Sequence, residues 1–162
     1  MDNNLDHKLN TLDAKMYGEK AEKLFTEGYN CAQAVVYAFN DILELDDKMI
    51  LSLSSSFGGG MGRLREVCGA VTGALMVLGL LYGQKSAGDT EGRNVSNKVN
   101  DLMMDRFKEK CGSYICNDLL GCDITSEEGH QFCVDNKLFT EFCPKMVAAA
   151  VEVVEEIILE QK

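Results

Sequence analysis

Hydrophobic side chains recur every three or four positions along most of this chain, which is the spacing that puts them on one face of an α-helix. A first amphipathic stretch runs from Leu5 to Phe25 and ends at Gly28. The next begins after Asn30, and Gln33 stands where the second partner of a capping box is expected. Runs in which apolar and polar residues alternate are few, so the pattern predicts an all-α fold.

The same periodicity predicts five more amphipathic helices. These are one capped by Asp46 and running through Leu53, one over about 91–110, a short one over 116–120, one from Thr125 or Ser126 to Val134, and a last one from Cys143 to about Leu159. Pro144 suits the first turn of the last helix, because the N–H group that proline lacks would have no partner there.

The stretch from about Arg65 to Tyr82 is the most apolar part of the chain and is apolar on every side, as expected of a helix surrounded by others. Gly69 and Gly73 stand four residues apart, so a neighbouring backbone can approach that side closely. The stretch contains Thr72 and is shorter than the ~20 apolar residues that a bilayer requires. We therefore expect a single-domain helical bundle around a buried central helix, with no membrane insertion.

Composition and charge exclude some classes of function and partner. A length of 162 residues suits one domain with one core. The net charge is −10 and no cluster of Lys and Arg is present, so neither nucleic acid nor a polyanionic membrane surface is an expected partner. The first residues lack the positive start and apolar run of a secretory signal, which favours the cytoplasm. In that compartment, seven cysteines indicate metal binding or redox chemistry rather than static disulfides.

Four of the cysteines stand at predicted helix starts: Cys31, Cys68, Cys116 and Cys143. The unpaired N–H groups and the positive end of the macrodipole at a helix start stabilise a thiolate and lower the pKa of a cysteine. For Cys68 we expect Arg63 and Arg65 to lower the pKa further. If successive long helices run antiparallel, Cys31, Cys68 and Cys116 meet at one end of the bundle. Cys143 joins them if the segment before it stays local.

These sulfurs fit two kinds of chemistry, because a thiolate is both a nucleophile and a ligand for a soft metal. In the first, Cys68 attacks a disulfide or an oxidant and a neighbouring cysteine resolves the product, with no cofactor required. In the second, the same four cysteines hold zinc or an iron–sulfur cluster. The chain has no Cys-x-x-Cys motif, so spacing does not choose between them, and we favour the dithiol reaction. In a third alternative the cysteines only pack.

Three cysteines outside this set have weaker assignments. Cys111 and Cys122 flank Cys116 closely enough to act as resolving thiols, although packing explains each of them as well. His130 and Cys133 share a helix face with the spacing of a two-ligand metal half-site, but we expect an exposed pair without a metal.

The run from Gly58 to Gly62 resembles a dinucleotide-binding fingerprint only superficially, since a helix precedes it and arginine occupies its later positions. A small anion, such as the acidic group of a substrate, could bind at Gly59, Gly60 and Arg63, before the next helix. We favour a simpler explanation, in which the glycines form a hinge that passes close to another helix.

Five blocks of sequence follow one another in a distinctive order: Asn30-Cys31-Ala32-Gln33-Ala34-Val35, Phe57-Gly58-Gly59-Gly60-Met61-Gly62, Cys68-Gly69-Ala70-Val71-Thr72-Gly73, Cys116-Asn117-Asp118-Leu119-Leu120-Gly121 and Cys143-Pro144. Together they resemble the C_GCAxxG_C_C family of redox-active proteins, from about Gly28 to the C-terminus, with residues 1–27 outside the match. The resemblance places the signature cysteines of that family at Cys31, Cys68, Cys116 and Cys143, and it implies a small, mostly cytoplasmic redox-active protein.

We therefore predict a thiol-based redox protein that acts as a thiol–disulfide oxidoreductase on a partner protein, a small disulfide or an oxidant. The alternative is a non-catalytic protein that binds zinc or an iron–sulfur cluster through the same cysteines. The paired small residues and the remaining apolar positions are compatible with a homodimer.

Overall fold

The computed structural model describes residues 3–161, and the side chains of residues 7–161, so the side chain of Leu5 lies outside the described part. Helices account for nearly all of its regular structure. They are α1 (Asn3–Asn10), α2 (Ala14–Thr26), α3 (Cys31–Ala38), α4 (Asn40–Leu43), α5 (Asp47–Ser54), the single turn α6 (Gly58–Met61), α7 (Gly69–Tyr82), α8 (Thr90–Cys111), α9 (Cys116–Leu120), α10 (Glu127–Asp135) and α11 (Cys143–Glu160). A 3₁₀ turn covers Ser55–Phe57 and a π-helical turn covers Leu138–Phe142. The predicted all-α fold is confirmed.

Helix α7 is the predicted buried helix of the bundle. It packs against α3, α8 and α11, and its side chains Val71, Val77 and Leu78 have no exposed surface. Gly73 provides the closest approach to α3, because a Cβ atom built on it would lie 2.7 Å from the backbone oxygen of Ala32. The expectation that a small residue at this position lets a neighbouring backbone come close is therefore correct.

Helix α11 shares the centre of the bundle with α7. It contacts α2, α3, α7 and α8, so most of the long helices meet it. Val147, Val151, Val154 and Ile158 lie on its buried side at the three- and four-residue spacing expected of a core-facing helix. In the described part of the chain, no helix is long and apolar enough to cross a membrane.

Most helix starts follow the local sequence. The amide of Gln33 donates to the Asn30 side chain over 3.0 Å, and the Asn30 amide donates to the Gln33 side chain over 3.1 Å, which completes the predicted capping box of α3. Asp46 caps α5 and Ser126 caps α10, as predicted. The prediction of one first helix was wrong, because Asp13 accepts hydrogen bonds from the two amides that follow Ala14 and starts a new helix there.

The start of α7 also differs from its prediction. The helix begins at Gly69 rather than near Arg65, and Cys68 is the residue that precedes its first turn. The segment before it is extended, and Val67 forms an isolated antiparallel bridge with Ile115. This bridge joins the approach to α7 with the approach to α9, two segments that are far apart in sequence.

Candidate functional site

The four cysteines at the predicted helix starts line a single small cavity. Its volume is about 20 Å³, which is room for one water-sized atom. Cys68 and Cys116 are 7% and 8% exposed, and Cys31 and Cys143 are half-buried. The sequence prediction that the bundle gathers these four residues at one place is therefore correct.

Cys31 is positioned by close packing between α3 and α7. The Asn30 and Gln33 capping box fixes the first turn of α3, in which Cys31 is the first residue. A Cβ atom built on Gly69 would lie 2.9 Å from the Cβ atom of Cys31, so only glycine leaves room for this side chain beside the start of α7. The backbone N–H of Gly59 faces the sulfur from the glycine-rich turn.

Cys68 and Cys116 are brought together by the antiparallel bridge between their segments. The amide of Cys68 donates to the oxygen of Tyr114 over 2.8 Å, and the amide of Cys116 donates to the oxygen of Glu66 over 2.7 Å. Gly60 has φ +72 and lies against Cys116, whose Cβ atom would be only 2.7 Å from a Cβ atom built on the glycine. The glycine-rich turn thus passes close to α9 at Cys116, as the favoured interpretation of these glycines expected, while their action as a hinge stays a prediction.

Cys143 is brought to the cavity by the start of α11. It is the first residue of α11, directly after the π-helical turn Leu138–Phe142, and Pro144 follows in the first turn as predicted. Phe142 and Met146 lie on either side of it in the sequence and also line the cavity. The segment between α9 and α11 therefore keeps the start of α11 near α9, which was the condition for Cys143 to join the other three cysteines.

The sequence predicted a lowered pKa for Cys68, and this prediction is wrong, because the pKa is raised. Burial raises the pKa of Cys68, and the N–H groups of Ala70 and Val71, which act to lower it, do not compensate. The predicted help from arginine is also missing for Arg65, because its guanidinium pairs with the carboxylate of Asp123 over 2.8 Å. Loss of hydration in the interior outweighs the helix start at this position.

The other cysteines of the cavity show the same direction. Burial raises the pKa of Cys116 to about 12 and that of Cys143 to about 12, and the nearby Cys68 sulfur adds to both shifts. The pKa of Cys31 is raised well above its usual value by burial first, and then by repulsion from the other three thiolates. At neutral pH all four are therefore thiols, and each one that ionises makes ionisation of the next harder.

A second, more open pocket of about 270 Å³ lies against the cavity. Cys31, Cys116 and Cys143 line both spaces, whereas Cys68 lines only the inner cavity. The polar residues Arg63 and His130 lie on the walls of the open pocket. A molecule entering from outside would therefore meet three of the cysteines before Cys68.

The three residues of the predicted anion site do not all line the same space. Gly59 and Arg63 line the open pocket, but Gly60 packs against Cys116 instead. Helix α7 begins only at Gly69, which packs against Gly58 at the start of the glycine-rich turn. Anion binding at Gly59 and Arg63 stays a prediction.

The remaining cysteines lie in two places. Cys111 lines a separate surface pocket with Lys108 and Tyr114. Cys122 and Cys133 contact each other, with their Sγ atoms 2.9 Å apart. Cys133 has no exposed surface, whereas His130 is exposed, so the expectation of an exposed pair was wrong for Cys133 and correct for His130. The pairing across a loop and a helix has no signal in the sequence, which shows two cysteines eleven positions apart and no motif.

The metal alternative depends on how the possible ligands are arranged. Four cysteine sulfurs suit zinc or an iron–sulfur cluster by chemistry. However, no group of three or more His, Cys, Asp or Glu side chains among the described residues is arranged to hold a metal ion. The described geometry therefore gives no support to the metal alternative for Cys31, Cys68, Cys116 and Cys143.

Comparison with known proteins agrees with the pattern of cysteines. The model of one family, described as "Putative redox-active protein (C_GCAxxG_C_C)", matches residues 29–157. No curated protein and no solved structure matches the chain significantly. The match begins just before the capping box of α3 and extends into the last turn of α11, so it contains all the residues of the cavity. The chain belongs to the C_GCAxxG_C_C family.

Proposed function

We propose that this protein is a thiol–disulfide oxidoreductase that works through the four cysteines of the cavity. The observation that supports this most is their convergence, since they come from separate elements and line one space of about 20 Å³. Cysteines that only fill a core have no need to meet one another. A dithiol reaction does need this, because a disulfide forms only when two side chains lie within bonding reach.

Access to the cavity suggests the order of events. Cys31 and Cys143 are half-buried and line the open pocket, so a disulfide that enters there reaches one of them first. Cys68 is buried behind them, which suits a resolving thiol better than an attacking one. This reverses the role expected for Cys68 from the sequence.

The proposed reaction conserves electrons and protons. The thiolate of Cys31 or Cys143 attacks one sulfur of the substrate disulfide, forms a mixed disulfide and releases the other substrate sulfur as a thiolate. Cys68 or Cys116 then attacks the protein sulfur of the mixed disulfide, which closes an internal disulfide and releases the second substrate sulfur. The protein loses two electrons, and its two thiol protons pass to the two substrate thiolates.

The raised pKa values are compatible with a protein that donates electrons. A dithiol becomes a weak reductant when the protein stabilises its thiolates. Burial and mutual repulsion rule out that stabilisation here, since they raise the pKa of Cys116 and of Cys143 to about 12 and leave both thiols protonated at neutral pH. We therefore assign the dithiol form as the active form, with a small disulfide or a partner protein as the acceptor. The cytoplasm, which keeps thiols reduced, suits this role and remains the proposed location.

Thiol counting with disulfide mapping tests the proposal. The full-length protein is purified without oxygen, its thiols are counted, and it is then treated with a small linear disulfide such as oxidised glutathione. We expect loss of thiols in pairs, recovery of them on reduction, and crosslinked peptides that join two of Cys31, Cys68, Cys116 and Cys143.

Cys68→Ser and Cys111→Ser form a matched pair of variants. Without Cys68, internal disulfides that include this residue cannot form. A fraction of the protein should therefore keep the substrate attached to Cys31 or Cys143 as a mixed disulfide. Cys111 lines a different pocket but is close enough to Cys68 for that sulfur to raise its pKa, so an unchanged reaction in Cys111→Ser would confine the chemistry to the four cysteines of the cavity. Bound metal or cluster absorption in the anaerobic protein would favour the ligand role instead, and thiols that stay unchanged in oxidant would leave only the packing role.

A further inference from the structure

We infer that Cys122 and Cys133 form a second redox-active pair, separate from the signature cysteines, which closes into a disulfide and passes electrons to the cavity through Cys116. The electron transfer to the cavity rests on the proposed function, whereas the closure of the pair does not. The pair has no counterpart among the signature positions of the family match.

The contact between the two sulfurs carries the first part of the inference. Their Sγ atoms are 2.9 Å apart, so closure to a bond of about 2.05 Å needs a movement of only about 0.9 Å. Cys133 is held in α10 with no exposed surface. Cys122 is half-buried in the loop between α9 and α10, and its neighbour Gly121 has φ +66. One sulfur of the pair therefore lies on a helix and the other on the loop that precedes it.

The loop that carries Cys122 is anchored to the site. Asp123, the next residue, pairs with Arg65 over 2.8 Å. The amide of Asn117 donates to the backbone oxygen of Arg65 over 3.1 Å, so α9 and the loop after it are held against the same extended segment. These contacts keep Cys122 near Cys116 as well as Cys133.

The pair shares an apolar cluster with the cavity cysteines. Cys116, Leu120, Ile124 and Cys133 are its buried members, and Cys122, Phe139 and Cys143 are among the residues that pack against it. The electrostatic effects agree with this proximity, because Cys122 raises the pKa of Cys116, and Cys133 contributes to the raised pKa of Cys143. The sulfur atoms of Cys122 and Cys133 therefore lie near those of the cavity cysteines Cys116 and Cys143.

The exchange that we assign to the pair is balanced within the protein. Cys122 attacks the Cys116 sulfur of a disulfide in the cavity, which forms a bond between Cys116 and Cys122 and releases the other cavity cysteine as a thiolate. Cys133 then attacks Cys122, closes the second disulfide and releases Cys116. The two protons of the pair pass to the two released thiolates, so the cavity is reduced and the pair is oxidised. An external dithiol reductant that reaches Cys122 would complete the cycle.

Disulfide mapping of the full chain tests the pair itself. The protein is equilibrated in mixtures of reduced and oxidised dithiothreitol, quenched with acid, alkylated and analysed as peptides without reduction. We expect a reversible crosslink between the peptides of Cys122 and Cys133, lost in Cys122→Ser and retained in Cys111→Ser. Absence of this crosslink in the wild type while the cavity cysteines oxidise overturns the inference and leaves the proposed function intact. A crosslink in the pair with unreactive cavity cysteines overturns the proposed function and the exchange, but not the pair.

The exchange step has its own test. In Cys133→Ser the second closure cannot occur, so the bond between Cys116 and Cys122 should accumulate after oxidation and be detected as a crosslinked peptide. Because Cys133 is buried, Cys133→Ala is made as well, and both variants are checked for native helix content. Folded variants that oxidise in the cavity without a bond between Cys116 and Cys122 contradict the exchange.

Discussion

The contact between α3 and α7 leads to the sharpest prediction about stability. A Cβ atom built on Gly73 would lie 2.7 Å from the oxygen of Ala32, 3.0 Å from its Cα atom and 3.0 Å from the Cβ atom of Val35. Two of these atoms belong to the backbone and cannot rotate away. In the same helix, a Cβ atom built on Gly79 would have no atom within 4 Å. Gly73→Ala and Gly79→Ala therefore make the same chemical change in opposite surroundings.

The magnitudes follow from two effects. Replacing glycine by alanine inside a helix stabilises it by about 1 kcal/mol, and this gain is common to both variants. Forcing a methyl group into a packed contact costs about 1–3 kcal/mol, and the rigid backbone atoms at Gly73 favour the upper half of this range. We expect Gly79→Ala to raise the free energy of unfolding by about 1 kcal/mol and Gly73→Ala to lower it by about 1–2 kcal/mol.

Thermal and urea denaturation followed by circular dichroism measure both effects. The reductant is present throughout, so that disulfides do not alter the unfolded state. For a chain of this length, 1 kcal/mol corresponds to about 2–4 °C, so Tm should rise by about 2–4 °C in Gly79→Ala and fall by about 2–8 °C in Gly73→Ala. A Gly73→Ala variant as stable as Gly79→Ala would refute the argument that the helix backbones meet at this glycine.

Three further predictions concern single interactions. Asn30→Ala removes the cap of α3 and should lower the free energy of unfolding by about 1 kcal/mol in urea denaturation, and an unchanged midpoint contradicts this. Tyr17→Phe removes the 2.6 Å hydrogen bond that the phenol donates to Asp41 and should cost about 1.5 kcal/mol in the same assay, unless the bond contributes nothing to folding. Burial, and then repulsion from neighbouring cysteines, raises the pKa of Cys116 and of Cys143 to about 12, so the stability that depends on these protonated thiols is complete below the unfolded value of 9.0 and is lost as the pH rises toward 12. Between pH 8 and 10 each of these thiols ionises in the unfolded protein but not in the folded one, which should lower the free energy of unfolding by about 1.4 kcal/mol for each thiol. A Cys116→Ala variant should therefore show a smaller fall in the free energy of unfolding over this pH range than the wild type.

The parts of the fold that depend on neighbouring residues were predictable from the sequence. Asn30 and Gln33 form the capping box because both partners lie within one turn of helix, and this contact needs no other part of the chain. Pro144 in the first turn of α11 is a local effect of the same kind. The break at Asp13 was missed because the apolar spacing continues across it, although an aspartate is itself a frequent cap.

The chemistry of the site depended on distant residues and was predicted less well. The place of Cys68 before a helix was visible in the sequence, but the burial that raises its pKa comes from elements elsewhere in the chain. Arg65 stands three residues from Cys68, yet its partner Asp123 is far away in sequence. Charge and solvation are set by the folded surroundings, so a favourable local position did not determine the sign of the shift.

The mutual repulsion of the cavity thiols has a consequence for the order of the proposed reaction. Because the repulsion between Cys68 and Cys143 is mutual, whichever of the two sulfurs ionises first keeps the other protonated, so one nucleophile coexists with protonated partners. When that thiolate forms a mixed disulfide, its charge leaves with the released substrate sulfur. The repulsion then disappears, and the next thiol ionises more easily. Attack and resolution therefore occur in sequence, because each bond that forms removes the charge that had held the resolving cysteine in its protonated form.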